Sequence, residues 1–364
     1  MFVRLALTSV LSVVALALPL LPLTSAAAAT PAAATSTAAP AAKAAAARPT
    51  CGGVRATWVG TNGRDRFKGT GKRDVVVALG GRDRIRGMGG RDVICGGGGT
   101  DNLAGGPGND RVLGGPGADV LSGGDNSDTL RAGPAASAPD VLRADKGADV
   151  LVGNGDSRLV MGTAPQGVTV NLAAGTSTGR GPDRLSGITR VRGSSGDDRI
   201  IGSPAAEALD GGGGDDVVKS RGGADRLLAN AGRDRLRAGQ GADVMVRSRA
   251  SGTARLGSGG KGNDTFLVAG GTVMFTGGPG TDTLSLASAS GGVDVDLSVT
   301  PQTASRAVRG TFDSIEDVIG SAFNDDLIGS DADNVLDGRD GVDSATGGPG
   351  TDTCVAETVS ECEA

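Results

Sequence analysis

GGPGNDRVL at residues 105–113 is followed directly by GGPGADVLS at residues 114–122, and this pair of nine-residue units decides the fold. Each unit has aspartate at its sixth position and a large apolar residue at its eighth. Aspartate recurs every nine residues, without a gap, at Asp65, Asp74, Asp83, Asp92, Asp101, Asp110, Asp119 and Asp128. A short fixed period is typical of repeat proteins whose units stack on one another. The sequence therefore predicts a repeat array.

The spacing within the unit predicts its conformation. The residues around the apolar position alternate, which suits a short strand with the apolar side chain pointing inward. The glycines allow the positive φ angles of a tight turn. One unit is then half a coil, and aspartates on one edge are eighteen residues apart, as Asp83 and Asp101 are. The predicted fold class is all-β, a parallel solenoid of nine-residue half-coils.

The composition requires a stabiliser other than a large core. The 364 residues include 65 Gly and only six Phe and one Trp, with no Tyr or His, and no three-residue glycine period of the collagen type is present. Each unit buries one apolar side chain, worth roughly 1.5–3 kcal/mol, whereas ordering nine residues costs more than about 10 kcal/mol. The apolar seam alone is therefore not expected to fold the array.

Calcium is the expected stabiliser. Each turn offers a carboxylate and several loop carbonyls, which are hard oxygen donors in a flexible setting and suit Ca²⁺ better than a transition metal. The alternative is that each aspartate only caps its own turn, as in many metal-free loops. The energy deficit recurs in every unit, and this favours calcium.

At these residues the chain resembles the haemolysin-type (RTX) calcium-binding repeat family, particularly its secreted actinobacterial members. The resemblance covers about residues 58–354 and rests on the unit G-G-x-G-x-D-x-U-x, where U is a large apolar residue. It implies a parallel β-roll or β-helix with Ca²⁺ held between neighbouring turns by the sixth-position aspartate and loop carbonyls. The candidate ligands are Asp83, Asp92, Asp101, Asp110, Asp119, Asp128, Asp149, Asp198, Asp216, Asp225, Asp234, Asp243, Asp264, Asp282, Asp325, Asp343 and Asp352.

The register breaks divide the repeat region. We expect a first repeat block at 51–163, an inserted strand unit at 164–193, a second block at 194–290, a second insert at 291–315 and an acidic block at 316–364. Arg158 stands at the position where the nine-residue count predicts an aspartate, so that turn should lack a carboxylate. The two inserts are related to each other and are expected to be extra solenoid coils rather than active-site loops.

The N-terminal end predicts export. Residues 1–28 combine Arg4, an apolar run at residues 5–23 and small residues after it, which is typical of a secretory signal peptide. A membrane anchor is the alternative, but Pro19 and Pro22 interrupt the run. Residues 29–50, rich in Ala, Pro and Thr, form a predicted flexible spacer. The expected location is extracellular, with cell-surface association as an option and no membrane span after signal cleavage.

Four cysteines lie at the edges of the repeat region, and an oxidising compartment would favour two disulfides. Three pairings are possible. Cys51–Cys95 and Cys354–Cys362 are favoured, because each would hold a terminus of the solenoid. A zinc site is the rival hypothesis, but the chain has no CxxC pair and no histidine.

Charge is distributed unevenly along the chain. Residues 282–364 carry 17 acidic and 3 basic residues, so the net charge of −5 leaves +9 for residues 1–281. Arginines flank many of the repeat aspartates, as Arg64 and Arg66 do. A solvated outer face, whose arginines pair with nearby carboxylates and prevent lateral strand aggregation, is one explanation. A regular row of arginines that binds a cell-wall or extracellular polyanion is the other explanation. The scarcity of aromatic residues argues against specific recognition of nucleic acid.

The leading hypothesis for function is therefore a secreted calcium-binding structural or interaction module that is not an enzyme. No HExxH, no G-x-S-x-G and no histidine is present. A carboxylate-based polysaccharide-modifying enzyme remains an alternative, for which an acidic pair would have to break the nine-residue register, as Asp294 and Asp296 do. An extracellular adhesin that uses the arginine face is another.

Overall fold

The computed structural model describes residues 48–134, 136–162, 164–247 and 253–363, with backbone only for 253–256. The regular elements in these ranges are all β-strands. The predicted signal peptide and almost all of the predicted spacer lie outside the described residues. Within them, we find no helix of the length and apolar character needed to cross a membrane.

Strands stack in parallel in two ladders, with each strand paired to the strand one coil away. In the first ladder, Leu103 pairs with Ile85 before it and with Leu121 after it, a spacing of eighteen residues on each side. This ladder is continuous. Its strands are Arg66–Lys68, Arg84–Arg86, Asn102–Pro107, Val120–Asp125, Val141–Arg143, the end of Val150–Val160, the end of Asp183–Arg192, Ala208–Asp210, Arg226–Ala229, Val244–Arg247, Thr265–Val268, Thr283–Ser285, Asp317–Ile319, Val335–Asp337 and Thr353–Val355.

The second ladder runs along the opposite side of the coils in three sections. The first section contains Trp58–Val59, Val75–Val77, Val93–Cys95, Arg111–Leu113, Thr129–Arg131 and the starts of Val150–Val160 and Asp183–Arg192. The second contains Thr169–Asn171, Arg199–Ile201, Val217–Gly222, Arg235–Gln240, Thr253–Lys261, Gly271–Thr276 and Val308–Asp313. The third contains Val293–Asp296, Asp326–Ile328, Ser344–Thr346 and Thr358–Ser360.

The core is a single file of apolar side chains between the two ladders. The eighth-position residues point inward, and Ile85, Leu103, Val112 and Leu121 have no exposed surface. Their neighbours along the strand point outward because successive residues of a strand face opposite sides. The predicted parallel β-roll or β-helix of half-coils is confirmed.

The two inserts differ from the predicted plain coils. Each is an antiparallel meander that ends one section of the second ladder and begins the next. In the first, strand Thr176–Thr178 pairs antiparallel with both Thr169–Asn171 and Asp183–Arg192. In the second, Gln302–Arg306 pairs in the same way with Val293–Asp296 and Val308–Asp313. The first and last strands of each insert stack in parallel on neighbouring coils, and the middle strand joins them by antiparallel pairing.

The nine-residue count also slips by one place near Arg158. Leu159 pairs with Leu142 and Arg158 pairs with Val141, so Ser157 occupies the aspartate position. Assignment of Arg158 to that position was wrong, because the strand from residue 150 continues to 160 and its inward leucines, Leu151 and Leu159, are only eight positions apart instead of nine. The aspartate position of this turn still carries no carboxylate, because it is occupied by Ser157.

A short N-terminal hairpin, Thr50–Cys51 with Val54–Arg55, covers part of the outer face of the second ladder. It packs on Val75, Val77 and Val93 in a second apolar cluster. Cys51 is bonded to Cys95 across this contact, and Cys354 is bonded to Cys362 at the other end of the roll. The first disulfide thus fastens the hairpin to the side of the roll rather than to its end. The remaining strands, Gly80–Gly81 and Gly98–Gly99, pair in parallel at a loop edge.

Candidate metal centre

Each repeat aspartate is fixed by the coil before it. The backbone N–H of Asp101 donates to Oδ1 of Asp119 at 2.8 Å, and the N–H of Asp110 donates to Oδ1 of Asp128 at 2.7 Å. The backbone carbonyl of Asp101 in turn accepts from the N–H of Val120 at 2.8 Å. The aspartates therefore form columns along both edges of the roll. In these columns one carboxylate oxygen of each aspartate accepts a hydrogen bond from the neighbouring coil.

The second carboxylate oxygen of most of these aspartates has no partner. Oδ2 is buried and accepts no hydrogen bond in fifteen of the seventeen predicted ligands, namely Asp83, Asp92, Asp101, Asp110, Asp119, Asp128, Asp149, Asp216, Asp225, Asp234, Asp243, Asp264, Asp282, Asp343 and Asp352. A buried, unpaired carboxylate oxygen is costly. A cation bound at each of these positions would remove that cost.

A carbonyl of the next coil approaches the same space. A Cβ atom built on Gly96 would lie 2.5 Å from Oδ2 of Asp101 and 2.7 Å from the carbonyl oxygen of Gly114. The two oxygens thus converge on a volume that any side chain at residue 96 would fill. A carboxylate and a carbonyl are the oxygen donors that Ca²⁺ prefers. The residues present therefore fit the ion that the sequence predicts.

No three His, Cys, Asp or Glu side chains come together to hold a metal within the described ranges. Zinc is bound mainly by Cys and His side chains. The four cysteines are all engaged in disulfides.

Burial perturbs the acidity of these carboxyls. Burial raises the pKa of Asp119 to about 7, and the neighbouring charges of Asp101 and Asp140 add to the increase against the backbone hydrogen bond from Asp101. The pKa of Asp216 is raised to about 8 by burial, again with added repulsion from nearby aspartates. Without a bound cation, these carboxyls therefore keep a proton to a higher pH than an exposed aspartate does.

In most turns the conformation of the residue four places before the aspartate accompanies the state of Oδ2, although Asp183, preceded by Gly179 with φ of 117°, accepts from Ser177. In thirteen of the fifteen turns with an unpaired Oδ2, the residue four places earlier has a positive φ angle; it is usually glycine, as at Gly106 (115°), but Leu79 (76°) and Met88 (82°) adopt the same conformation. The exceptions are the turns of Asp149 and Asp234, preceded by Asp145 and Asn230. We call a turn with an unpaired Oδ2 an open turn.

Six other turns close on themselves. Each has serine or threonine four places before the residue at the aspartate position, which is Asp, Glu or Asn. The backbone N–H of the serine or threonine donates to the side-chain oxygen of that residue. Ser321 does so to Oδ2 of Asp325 at 2.6 Å, and its hydroxyl donates to Oδ1 at 2.8 Å. We call these closed turns; the donor and acceptor pairs are Thr61 and Asp65, Thr70 and Asp74, Ser194 and Asp198, Ser203 and Glu207, Ser321 and Asp325, and Ser330 and Asn334.

Closed turns occur in consecutive pairs at three places. One pair opens the solenoid, at Asp65 and Asp74. The second pair follows the first insert, at Asp198 and Glu207, and the third follows the second insert, at Asp325 and Asn334. Two consecutive turns make one coil, so every uninterrupted run of coils begins with a coil whose turns are already satisfied.

The structure thus separates the predicted ligands into two groups. Fifteen have the unpaired oxygen that a cation requires, whereas Asp198 and Asp325 have both oxygens engaged by serine and by backbone N–H groups. The nine-residue period could not distinguish the groups, although the serine four places earlier is visible in the sequence.

Glutamates that are not among the predicted ligands also accept backbone N–H groups in the columns. Glu316 accepts from the backbone N–H of Asp282 at 2.8 Å, and Glu357 accepts from that of Asp343 at 2.7 Å. Glu363 accepts similarly from Asp352. A longer side chain takes the place of the aspartate Oδ1 where the coil geometry changes.

A family model described as RTX calcium-binding nonapeptide repeat (4 copies) matches seven segments of the chain. The matched residues are 59–94, 95–130, 136–157, 183–218, 220–248, 258–288 and 319–354, which together cover more than half of the chain. No curated protein matches the chain.

Proposed function

Because the chain belongs to the RTX calcium-binding nonapeptide repeat family, we propose that it is a secreted protein whose β-roll folds around Ca²⁺ after export. Its repeats bind calcium. The single observation that carries the proposal is the set of fifteen buried Oδ2 atoms without a partner. A metal that binds only the folded chain contributes its binding free energy to folding.

The open turns provide the ligands in this proposal. An aspartate such as Asp101 contributes its unpaired Oδ2, and the glycine loop of the adjoining coil contributes carbonyls such as that of Gly114. Calcium supplies the positive charge that lets these carboxylates remain ionised inside the stack. Asp198 and Asp325 are not among the proposed calcium ligands, because Ser194 and Ser321 already donate hydrogen bonds to their Oδ2 atoms.

Two features support export. The apolar run at residues 5–23 with small residues after it resembles a signal peptide. All four cysteines form disulfides, which persist in oxidising compartments. Calcium is abundant outside the cell, so location and folding would be coupled.

We favour a non-catalytic role over a carboxylate-based enzyme. Asp294 forms an ion pair with Arg306 at 2.7 Å, and Asp296 accepts from both the N–H and the hydroxyl of Ser298. These two acids break the nine-residue register, yet their carboxylates are engaged in local contacts on an antiparallel strand. Neither is poised as a free general acid or base.

Metal counting tests the proposal directly. Purified chain, dialysed against chelator and then against millimolar CaCl₂ or MgCl₂, is examined by native mass spectrometry. We expect several bound Ca²⁺ ions and few or no bound Mg²⁺ ions, because Mg²⁺ requires near-octahedral geometry and dehydrates reluctantly. Absence of calcium adducts, or equal loading by both metals, would remove the proposal.

A further inference from the structure

A compact group of cations covers the outer face of the first ladder near its start. We call it the basic grid; it consists of Arg64, Arg66, Lys68, Arg82, Arg84 and Arg86, all exposed. Arg66 pairs in register with Arg84, and Lys68 with Arg86. Adjacent strands lie about 4.8 Å apart and alternate residues along a strand about 6.7 Å apart, so the cations form rows with regular spacing.

The grid cations have no acidic partner. Within the described ranges, none of the six forms an ion pair, whereas Arg190 on the same ladder bonds Asp156 at 2.6 Å and Arg192 lies 3.8 Å from Asp210. The nearest acids along the chain, Asp65 and Asp83, direct their carboxylates into the turns. The grid is therefore not the paired, solvated face that the simpler explanation of the arginines requires.

A cleft of about 310 Å³ adjoins the grid. Arg64, Arg82 and Arg84 line it together with Thr100 and Asn102, and the edge carboxylates of Asp83 and Asp101 also border it. Hydroxyl, amide and guanidinium groups can all donate to phosphate oxygens. Calcium bound at the neighbouring turns would offset the two carboxylates and strengthen the positive field.

The surroundings favour a partner without stacking rings. Between residues 64 and 91 the chain has nine basic and three acidic residues, and its only aromatic side chain there is Phe67. Phe67 faces inward and packs against Trp58, with ring centroids 4.7 Å apart. Single-stranded nucleic acids are held by a basic groove together with base stacking on aromatic side chains. The grid offers charge and spacing alone.

We propose that the basic grid binds a linear polyol-phosphate polymer through its backbone phosphates, which makes this face an attachment surface. The proposal deepens the proposed function, because the rows align only in the folded roll. Arginine suits the task, since its planar fork can bond two oxygens of one phosphate. The stacked strands present the cations in rows that a chain with repeated phosphates can follow.

The test uses the disulfide-intact chain in millimolar CaCl₂ and immobilised poly(glycerol phosphate). The variant R66Q/R84Q removes two grid charges, and R190Q/R192Q is the control with the same change in net charge. We expect the grid variant to lose about tenfold in affinity and to flatten the slope of log K against log salt by about 1.4, or 0.7 for each lost contact. The control should change far less.

Equal losses in both variants, or no salt-sensitive retention of the wild-type chain, would overturn the proposal. Tighter binding to single-stranded DNA or to a uronic acid polymer would overturn the assignment to polyol phosphate. Self-association at low salt that is abolished by R66Q/R84Q would also overturn it, since the acidic C-terminal block of a second copy would then be the occupant. Circular dichroism of every sample separates loss of fold, which concerns calcium, from loss of binding.

Discussion

The backbone N–H of Asp101 donates a 2.8 Å hydrogen bond to Oδ1 of Asp119, one coil later, while Oδ2 of Asp119 is buried without a partner. The same carboxylate therefore holds two coils together and places an uncompensated oxygen between them. Repeated along both edges, this arrangement makes stacking dependent on a cation.

Neutralising one open turn should weaken calcium binding locally. Asp119→Asn keeps an oxygen that can accept from Asp101 but removes the charge, so we expect one fewer tightly bound Ca²⁺ and a smaller calcium-induced increase in Tm. The matched control is Asp325→Asn in a closed turn, where the chain already carries Asn334 at the equivalent place. Calcium counts by native mass spectrometry check this prediction. An identical count in D119N and wild type would contradict it.

Closing an open turn should have the same effect by another route. Gly106 has φ of 115°, and a Cβ atom there would collide with the carbonyl oxygen of Met88. Gly106→Ser is therefore expected to force the turn toward the closed form or to strain it, with the loss of about one bound Ca²⁺. Gly98→Ser is the control, because nothing lies within 4 Å of a Cβ at residue 98. Equal calcium counts for the two variants would refute the role of this position.

Acid should partly replace calcium. In the calcium-free fold, burial raises the pKa of Asp119 and Asp128 to about 7, well above the value of about 3.9 for an unfolded aspartate. The raised value stabilises the fold below the unfolded pKa and the contribution is lost as pH rises through about 7. We expect more β-structure in chelator at pH 5 than at pH 8. Equal β-structure in chelator at pH 5 and at pH 8 would contradict this expectation.

Three coils have two consecutive closed turns, and we call them closed coils. They should be the most protected parts of the calcium-free chain. Their carboxylates need no cation, so residues 61–74, 194–207 and 321–334 are expected to exchange amide hydrogens more slowly than open coils such as 97–119. Hydrogen exchange with mass spectrometry in chelator at pH 5, where protonated carboxyls are expected to retain β-structure, measures this directly. Ser321→Ala should accelerate exchange in the third closed coil, because the hydroxyl bond to Asp325 is worth about 1 kcal/mol. Uniform exchange along the roll would contradict the division into two kinds of turn.

The nine-residue period was sufficient to predict the roll, the inward apolar file and the edge columns of aspartates. It could not predict the meanders, since strands such as Thr176–Thr178 form local antiparallel hairpins with their sequence neighbours and do not follow the nine-residue coil. It also placed Arg158 one position off, because a single deleted residue shifts the register without disturbing alternation. The hairpin contact was missed, although three consecutive valines, Val75 to Val77, indicate a strand buried on both faces.

The distinction between open and closed turns depends on the backbone conformation of the residue four places before the aspartate position. Leu79 and Met88 adopt positive φ without being glycine, so residue type alone did not reveal these turns as open. The serines and threonines of the closed turns are a usable signal, since Ser194 and Ser321 stand where the open turns have glycine. The period identifies where carboxylates stack, and the preceding residue determines what satisfies them.

Far-UV circular dichroism of the chelated chain during a calcium titration, with magnesium as the control, tests the central claim most directly. We expect a largely unfolded chain in chelator at pH 7.5 and a cooperative gain of β-structure at millimolar calcium but not at millimolar magnesium. A chain that is fully folded after exhaustive chelation, with an unchanged Tm, would contradict the claim that the unpaired aspartate oxygens require calcium.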